Sequence, residues 1–180
     1  MSCTISFPAL AGVDGSARFT WSAHSACTAL ASVSGPIASL QSSSSTNTNT
    51  HAHVDLHLRP AHAVGGPSAR AAGAVLRALV ERMCLLRMHP RTGVVVVVQD
   101  LGGGAGMASH AQTAARINAC SLALLNAGSV PMRGVVCAVA VQRSGHRLVL
   151  CPDESIDANG DADGGGGCFA FLFGAGRGDT

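Results

Sequence analysis

The hydrophobic pattern of this chain is organised around five consecutive valines, Val94–Val98, which stand between a turn and a glycine-rich loop. A run of this length is too short to cross a membrane, and it is too uniformly apolar for a strand with one solvated face. It therefore predicts a strand at the centre of a sheet, covered on both faces. The Ala-, Leu- and Ile-rich segment after the loop ends at Gly128, which can adopt the left-handed conformation that closes a helix.

Apolar and polar residues alternate cleanly in the segment 51–59, HAHVDLHLR. This period of two predicts a strand with one face on the core and with His53, Asp55 and His57 on the other face. The histidines at 51, 53 and 57 together with Asp55 are also potential metal ligands. A row of polar residues on a strand is more often its solvated face, and this interpretation is favoured.

A helix is predicted between this strand and the valines, beginning at Gly65–Ser68, with Ser68 as a candidate cap. It is expected to end at His89-Pro90, because a residue before proline avoids the helical region. Arg77 and Glu81 lie on its polar side, four residues apart, and are spaced to form an ion pair. The apolar residues that fall within one arc of this helix are Val75, Leu76, Leu79, Val80, Met83 and Leu86.

The remaining patterns complete an α+β fold, with a mixed sheet packed with two main helices. Residues 143–146 are typical of a hairpin turn, and the last strand carries three alternating phenylalanines that are expected to pack one face into the core. The further strands are predicted at 17–21, 26–34, 135–142, 147–150 and 168–173. The predicted order is β-β-β-α-β-α-β-β-β.

One domain is expected over residues 1–180, because a chain of 180 residues is long enough to bury a core of its own. Three segments are predicted to be loops: the low-complexity tract 41–50 and the glycine-rich stretches 101–107 and 152–167. The loop 101–107 is not a nucleotide-binding loop. A Walker loop needs a lysine, which this chain lacks, and a dinucleotide-binding loop needs an acidic residue about 20 positions further on.

Charge is sparse in this chain. Charged residues make up 12% of it, about half of the roughly 25% usual in globular proteins, which favours a surface that meets partners. The formal charge of +2 does not by itself indicate a nucleic-acid partner, and the exclusive use of arginine as the cation is more simply a compositional bias. Because neither a signal peptide nor a membrane-spanning stretch is recognisable, an intracellular, soluble protein without a membrane partner is expected.

Seven cysteines are scattered along the chain without any Cys-x-x-Cys pair. Most stand in apolar runs, which predicts buried free thiols in a reducing compartment rather than a zinc site. The acidic stretch 153–163 contains five carboxylates, which could bind a divalent cation or act as acids and bases. Its spacing does not match a calcium loop, and a solvated linker is the favoured interpretation.

A series of short motifs resembles the RNase PH family. In chain order these are Asp14–Phe19 (DGSARF), Ser34–Pro36 (SGP), Leu58–Pro60 (LRP), His89–Thr92 (HPRT), Ile117–Leu124 (INACSLAL), Ala127-Gly128, Pro131–Arg133 (PMR) and Leu148–Leu150 followed by Pro152. The matches span nearly the whole chain in the right order. The resemblance is strongest to the PH-like ring subunits of the eukaryotic RNA exosome, of the type called ribosomal RNA-processing protein 46.

The resemblance implies a fold, an assembly and a role. The fold is of the ribosomal protein S5 domain 2-like type. The assembly is a hetero-hexameric ring with other RNase PH-like subunits, capped by S1/KH-type subunits, around a central RNA channel. The role is in 3′-to-5′ RNA degradation and rRNA processing, in the nucleus and nucleolus and also in the cytoplasm.

Active family members use phosphate as the nucleophile, and this chain departs from their pattern at the residues that hold it. Gln112 stands where the family has a phosphate-gripping arginine, and Pro67 stands where it has another, with Arg70 as the nearest cation. No second catalytic acid aligns with Asp153 and Glu154. Loss of such charges typically costs several powers of ten in rate. We therefore expect a non-catalytic subunit, with no catalytic residue, cofactor or metal of its own.

Four arginines are candidates to line the RNA path through phosphate contacts: Arg70, Arg77, Arg91 and Arg116. Two alternatives remain open. In the first, the chain is an active phosphate-dependent 3′-to-5′ exoribonuclease, alone or as a homo-oligomer, in which Arg70, Arg77 and Arg116 replace the missing arginines. In the second, the chain is purely architectural and contacts no RNA.

Overall fold

Two β-sheets and two α-helices make up the described part of the chain. A computed structural model describes residues 2–21, 24–38, 50–61, 65–102, 110–144, 146–150 and 165–174. In chain order the elements are β1 (Cys3–Ser6), β2 (Gly15–Trp21), β3 (His24–Ala38), β4 (His53–Arg59), α1 (Pro67–Met83), a 3₁₀ turn (Leu86–Met88), β5 (Thr92–Asp100), α2 (His110–Ala127), β6 (Gly134–Ser144), β7 (Arg147–Leu150) and β8 (Gly166–Gly174). The α+β class with two main helices is confirmed, and β1 is an additional strand.

The larger sheet has five strands in the order β1-β2-β3-β5-β4. Its neighbouring strands are antiparallel except for β4 and β5, which run parallel from His53 opposite Gly93 to Arg59 opposite Gln99. Such a parallel pair needs a crossover connection, and α1 provides it. The valine run is therefore an inner strand, as predicted, and β4 is an edge strand.

The valines of β5 are covered on one face only. Val94, Val96 and Val98 are at most 1% exposed, whereas Val95 and Val97 on the other face are half-buried. Helix α2 packs on β2, β3 and β5, and α1 packs on the same face at β4. The prediction that the valine strand is covered on both faces is therefore wrong for the described residues, because both helices lie on one side of the sheet.

Helix α2 is buried nearly all round because it lies between the two sheets. It packs on β2 and β3 on one side and on β6 and β8 on the other. Its small residues Ala114, Ala119 and Ala123 are fully buried, which lets the sheets approach closely. A helix of this kind lacks a polar stripe, and this explains why its sequence is apolar throughout.

The smaller sheet has three antiparallel strands in the order β7-β6-β8. The predicted hairpin between β6 and β7 is confirmed, with Ser144 opposite Arg147. The residues of β6 that face α2 are Val136, Ala138 and Ala140. The phenylalanines of β8 pair instead with the outward-facing residues of β6, and they are 53–62% exposed: Phe169, Phe171 and Phe173. The prediction that they pack into the core is therefore wrong for the described part of the chain.

Helix α1 is shorter than predicted. Its N-cap residue is Gly66 with Pro67 in the first turn, and no side chain caps it, so the prediction of Ser68 as a cap is wrong. It ends at Met83, after which Cys84 forms a β-bridge with Met132. Of the predicted apolar arc, Leu76, Val80 and Met83 are buried but Val75 is 60% exposed. No helix in the described residues is long and apolar enough to span a membrane.

Candidate functional site

A groove of about 480 Å³ runs between β4 and the first half of α1. Helix α1 comes close to β4 at Gly73, where an added Cβ would lie 3.7 Å from the Cβ of Leu58. The groove is lined by three arginines and one histidine, with no carboxylate among its described lining residues, so it suits an anionic ligand. These residues are Leu56, His57, Leu58, Arg59, Gly65, Ala69, Arg70, Gly73, Ala74 and Arg77.

The arginines of the groove differ in whether they already form an ion pair. Arg59 and Arg70 are exposed and form no ion pair within the described ranges. Arg77 donates from Nε to Oε1 of Glu81 at 2.9 Å, so the ion pair predicted from their spacing is confirmed. This pair is about two-fifths exposed, and such pairs contribute only about 0.3–0.5 kcal/mol. An incoming anion can therefore compete for Arg77.

Arg91 lies away from this groove. It occupies the turn before β5 with a φ of 60°, and the turn is held by a hydrogen bond of 2.8 Å from Thr92 Oγ1 to the carbonyl of His89. The parallel register places this end of β5 opposite the start of β4, about 20 Å along the strand from Arg59. Arg91 is exposed and does not line the groove.

Arg116 is buried in an ion pair. Its guanidinium donates to both carboxylate oxygens of Asp100, from Nε at 2.9 Å and from a terminal nitrogen at 2.7 Å. The two side chains are 8% and 5% exposed. This bidentate geometry joins α2 to the end of β5, and Arg116 does not line the groove of Arg70 and Arg77.

Gln112 belongs to the same buried cluster. Its side-chain amide donates to Asp100 at 2.8 Å and to the carbonyl of Thr28 at 3.3 Å, and the residue is 5% exposed. The amide therefore holds the first turn of α2 against β3 and β5. The side chain that the resemblance aligns with a phosphate-gripping arginine therefore serves the core of the protein.

The motif INACS has a structural role. Asn118 donates to the carbonyl of Ala138 at 2.9 Å and accepts from its N–H at 2.7 Å. One turn further on, Ser121 Oγ accepts from the N–H of Val136 at 3.1 Å. These bonds attach β6 to α2, so the smaller sheet is fixed to the helix by side chains that bind its backbone.

The motifs DGS and SGP meet at one corner of the larger sheet. The N–H of Gly35 donates to Asp14 at 2.6 Å, and Ser129 donates to the carbonyl of Gly35 at 2.6 Å. Gly35 has a φ of 131°, and a Cβ there would lie 2.7 Å from the carbonyl oxygen of Gly93. Gly15 packs even more closely, since its Cβ would lie 2.3 Å from the nitrogen of Ala127. These motifs are therefore required by packing.

The six cysteines of the described residues form no disulfide with one another, and the predicted burial holds for three of them. Cys3 and Cys137 are exposed, whereas Cys27, Cys84 and Cys120 are buried. Burial raises the pKa of Cys84 to about 11 and that of Cys120 to about 12, because it penalises the thiolate. Neither thiol is a nucleophile near neutral pH.

Two of the alternating histidines, His53 and His57, lie on the open face of β4. His57 Nε2 lies 3.3 Å from Oδ2 of Asp55, and both side chains are about half exposed. No group of three His, Cys, Asp or Glu residues within the described ranges is arranged to hold a metal ion. The acidic residues considered as acids or metal ligands, Asp153 and Glu154 with the rest of the stretch up to 163, lie outside the described residues, as does most of the loop 101–107.

Two residues of these sites escaped the sequence reasoning. Arg59 is a third groove arginine, and its position at the end of an edge strand could be recognised only from the strand order. Asp100 was recognisable in principle, because it continues the alternation of the buried valines Val94, Val96 and Val98. A carboxylate at such a buried position needs a cationic partner, and Arg116 is that partner.

Sequence comparison finds relatives among archaeal exosome proteins, although no family model matches the chain. It is 35% identical over 114 residues to the exosome complex component Rrp41 of Archaeoglobus fulgidus, a match that covers 62% of this chain and 41% of the relative. The Rrp41 of Thermococcus gammatolerans is 38% identical over 100 residues, which cover 54% and 38% of the two chains. The chain thus spans about two-fifths of the length of these relatives.

Solved structures share the fold. Rice (Oryza sativa) Rrp46 superposes with a TM-score of 0.73 at 22% identity, over 88% of this chain and 71% of that one. A chain of an archaeal exosome core superposes with a TM-score of 0.60 at 15% identity, over 89% and 67%. The fold expected from the motifs is confirmed by these superpositions.

Proposed function

We propose that this chain, which is similar in sequence and in fold to exosome subunits, is a non-catalytic ring subunit of an RNA exosome. In this role it supports 3′-to-5′ RNA degradation and rRNA processing by helping to build the RNA channel. Its partners are other RNase PH-like subunits in a hetero-hexameric ring and S1/KH-type cap subunits. We further propose that it works in the nucleus, the nucleolus and the cytoplasm, where a fluorescently tagged copy should be visible.

The main support for a non-catalytic role is the buried cluster at the start of α2. Gln112 and Arg116 both donate to Asp100, and each is less than a tenth exposed. A site for inorganic phosphate needs cationic donors that are free to approach the ligand. In this protein Gln112 and Arg116, in the first two turns of α2, donate to the carboxylate of Asp100 instead.

The RNA contacts proposed for this subunit involve an exposed arginine. Arg91, in the turn before β5 and outside the groove, is the exposed candidate for phosphate contacts, whereas Arg116 is bound to Asp100 and Arg70 and Arg77 line the separate groove. Contacts of this kind are independent of sequence and weaken with salt. With five phenylalanines, one tryptophan and no tyrosine, the chain offers bases little stacking surface. We therefore expect weak RNA binding by the isolated protein at physiological salt.

The test of the catalytic status is an assay for phosphorolysis. Purified protein is incubated with uniformly labelled single-stranded RNA, inorganic phosphate and Mg²⁺, and the released nucleoside diphosphates are measured. We expect no release above a blank. Phosphate-dependent release that Arg70→Ala abolishes and Arg87→Ala leaves unchanged would overturn the proposal and favour the alternative, an active phosphorolytic exoribonuclease.

A further inference from the structure

We propose that the groove between β4 and α1 is a docking site for an acidic protein segment in extended conformation, which adds to the five-stranded sheet beside β4. The inference depends on the strand order and on the groove. It does not depend on the proposed exosome role, and its test uses the isolated protein.

The groove follows the edge of a strand. β4 is the last strand of its sheet and pairs only with β5 within the described residues. Four consecutive residues of β4, Leu56–Arg59, line the groove. Successive residues of a strand point to opposite faces, so a run of consecutive lining residues means that the groove passes along the strand edge. The backbone N–H and C=O groups of β4 that point away from β5 are the groups that a further strand would bind.

The opposite wall of the groove leaves room for a backbone. It is formed by α1, where the groove-lining residues other than the arginines are the small residues Ala69, Gly73 and Ala74. Strands in a sheet lie about 4.8 Å apart, and the six residues Val54–Arg59 span about 20 Å. A volume of about 480 Å³ accommodates a short extended segment with small side chains toward α1.

The charges around the groove select an acidic occupant. Arg59 stands at the end of the strand edge, and Arg70 and Arg77 stand two helical turns apart on α1, about 10 Å from one another along the axis. Arg59 and Arg70 have no ionic partner in the described part of the chain. Alternate side chains of an added strand point to one side at intervals of about 7 Å, so acidic residues two or four apart would meet these arginines.

A peptide fits these features better than RNA does. The described lining contains Leu56 and Leu58, and its one aromatic ring is the imidazole of His57, which lies beside the carboxylate of Asp55. The edge of β4 offers the alternating donors and acceptors of a strand, which RNA does not match. Two rival interpretations remain as outcomes of the test: RNA phosphates occupy the groove, or the arginines only protect the edge from non-specific pairing.

The experiment measures binding of fluorescein-labelled ten-residue probes to the purified protein by fluorescence anisotropy in about 0.1 M salt. The first probe alternates valine and glutamate. The second alternates valine and serine and lacks the charge. The third alternates proline and glutamate and keeps the charge but loses half of its N–H donors. The fourth is a ten-nucleotide oligouridylate RNA.

We expect the valine–glutamate probe to bind at least ten-fold more tightly than the other three. Arg70→Ala and Arg77→Ala should each weaken it by about two- to five-fold, the usual size for an exposed charge pair. Ala74→Leu, at an exposed groove-lining position, should weaken it further by filling the groove. The matched control is Arg87→Ala, which removes an exposed arginine outside the groove and should have no effect.

Hydrogen exchange gives a second measurement on the unaltered protein. Saturating valine–glutamate probe should slow amide exchange in Val54–Arg59 and leave β2 unchanged. Equal binding of the proline–glutamate probe or of the RNA, with no change of exchange in β4, would overturn the proposal in favour of a site for anions in general. Absence of binding by all four probes would also overturn it and leave the arginines as protection of the edge.

Discussion

The residue that departs most from what a reader of the sequence would expect is Arg116. The sequence makes it a candidate for contacts with RNA phosphates, but it is a buried partner of Asp100. Two bonds of 2.9 and 2.7 Å match the fork of the guanidinium to the carboxylate. In a dry environment such a pair is worth little against an apolar alternative, but it is costly to break. Its effect is to fix the start of α2 on β5.

This gives a prediction for Asp100→Ala. The variant leaves the Arg116 charge buried and unpaired, so the free energy of unfolding should fall by about 3–5 kcal/mol. The double variant Asp100→Leu with Arg116→Met should recover most of this loss, because no charge is then left in the core. Urea unfolding followed by circular dichroism measures both. Equal stability of the single and double variants would contradict the assignment.

The buried thiols predict a pH dependence. The pKa of Cys84 is raised to about 11 and that of Cys120 to about 12, from 9.0. Above pH 9 the unfolded chain ionises these thiols while the folded protein keeps them neutral, so the unfolded state binds fewer protons and stability falls as pH rises. The loss from Cys84 should run from pH 9 to about 11, and that from Cys120 to about 12.

The measurement is urea unfolding between pH 8 and 10 of the wild type and of a variant with Cys84→Ser and Cys120→Ala. The slope of stability against pH should be smaller in the variant. In the native wild type, iodoacetamide should alkylate Cys3 and Cys137 but spare both buried thiols. Rapid alkylation of Cys120 would show that its surroundings are open.

At the scale of elements, the central fact is that α2 is held by side chains on the smaller sheet. Asn118 makes two bonds to Ala138, and Ser121 makes one bond to Val136. All three bonds are buried, so each unmatched backbone group left by a substitution costs about 1–3 kcal/mol.

Asn118→Ala should therefore lower the free energy of unfolding more than Ser121→Ala does. Asn118→Ala strands a donor and an acceptor and should lower the unfolding free energy by about 2–4 kcal/mol, whereas Ser121→Ala should cost about half as much. Ser68→Ala, on the exposed start of α1, is the matched control and should change nothing. Hydrogen exchange should speed up selectively in β6 of both variants. Uniform acceleration over the larger sheet would mean that these residues do not act through β6.

The elements also show which features of the fold could be predicted from the sequence. The alternation of 51–59, the hairpin at 143–146 and the Arg77–Glu81 pair were readable, because they depend on local geometry. Two predictions are wrong: the valine strand is covered on one face only, and the phenylalanines of β8 point outward. In both cases the sequence pattern identifies an apolar face, but the packing of the other elements decides whether that face is covered.

At the scale of the whole molecule, the proposed ring role predicts partners. A tagged copy recovered from its own cells in mild salt should carry other PH-like subunits and S1-type cap subunits in equal amounts. Recovery of the chain alone, or only with further copies of itself, would contradict the ring role and favour a free homo-oligomer. The exposed face of Phe169, Phe171 and Phe173 adds a reason to expect partners, because isolated soluble proteins seldom leave such a patch open.

The candidate site could be predicted only in part. The departure at Gln112 was visible in the sequence, but the reason that its side chain is unavailable, a bond to Asp100, is a tertiary contact. Of the four candidate arginines, the structure brings together only Arg70 and Arg77, and it adds Arg59. Such convergence depends on strand order and on the close approach of α1 at Gly73, and neither has a local signature.

The position of α2 between the two sheets has a consequence for synthesis on the ribosome. The helix and the five strands of the larger sheet are complete once Ala127 has emerged, but β6 and β8, which cover the other side of the helix, follow later in the chain. At about 5–20 residues per second, that apolar side stays uncovered for about 2–10 s. During this interval the nascent chain exposes the apolar side of α2, to which chaperones can bind.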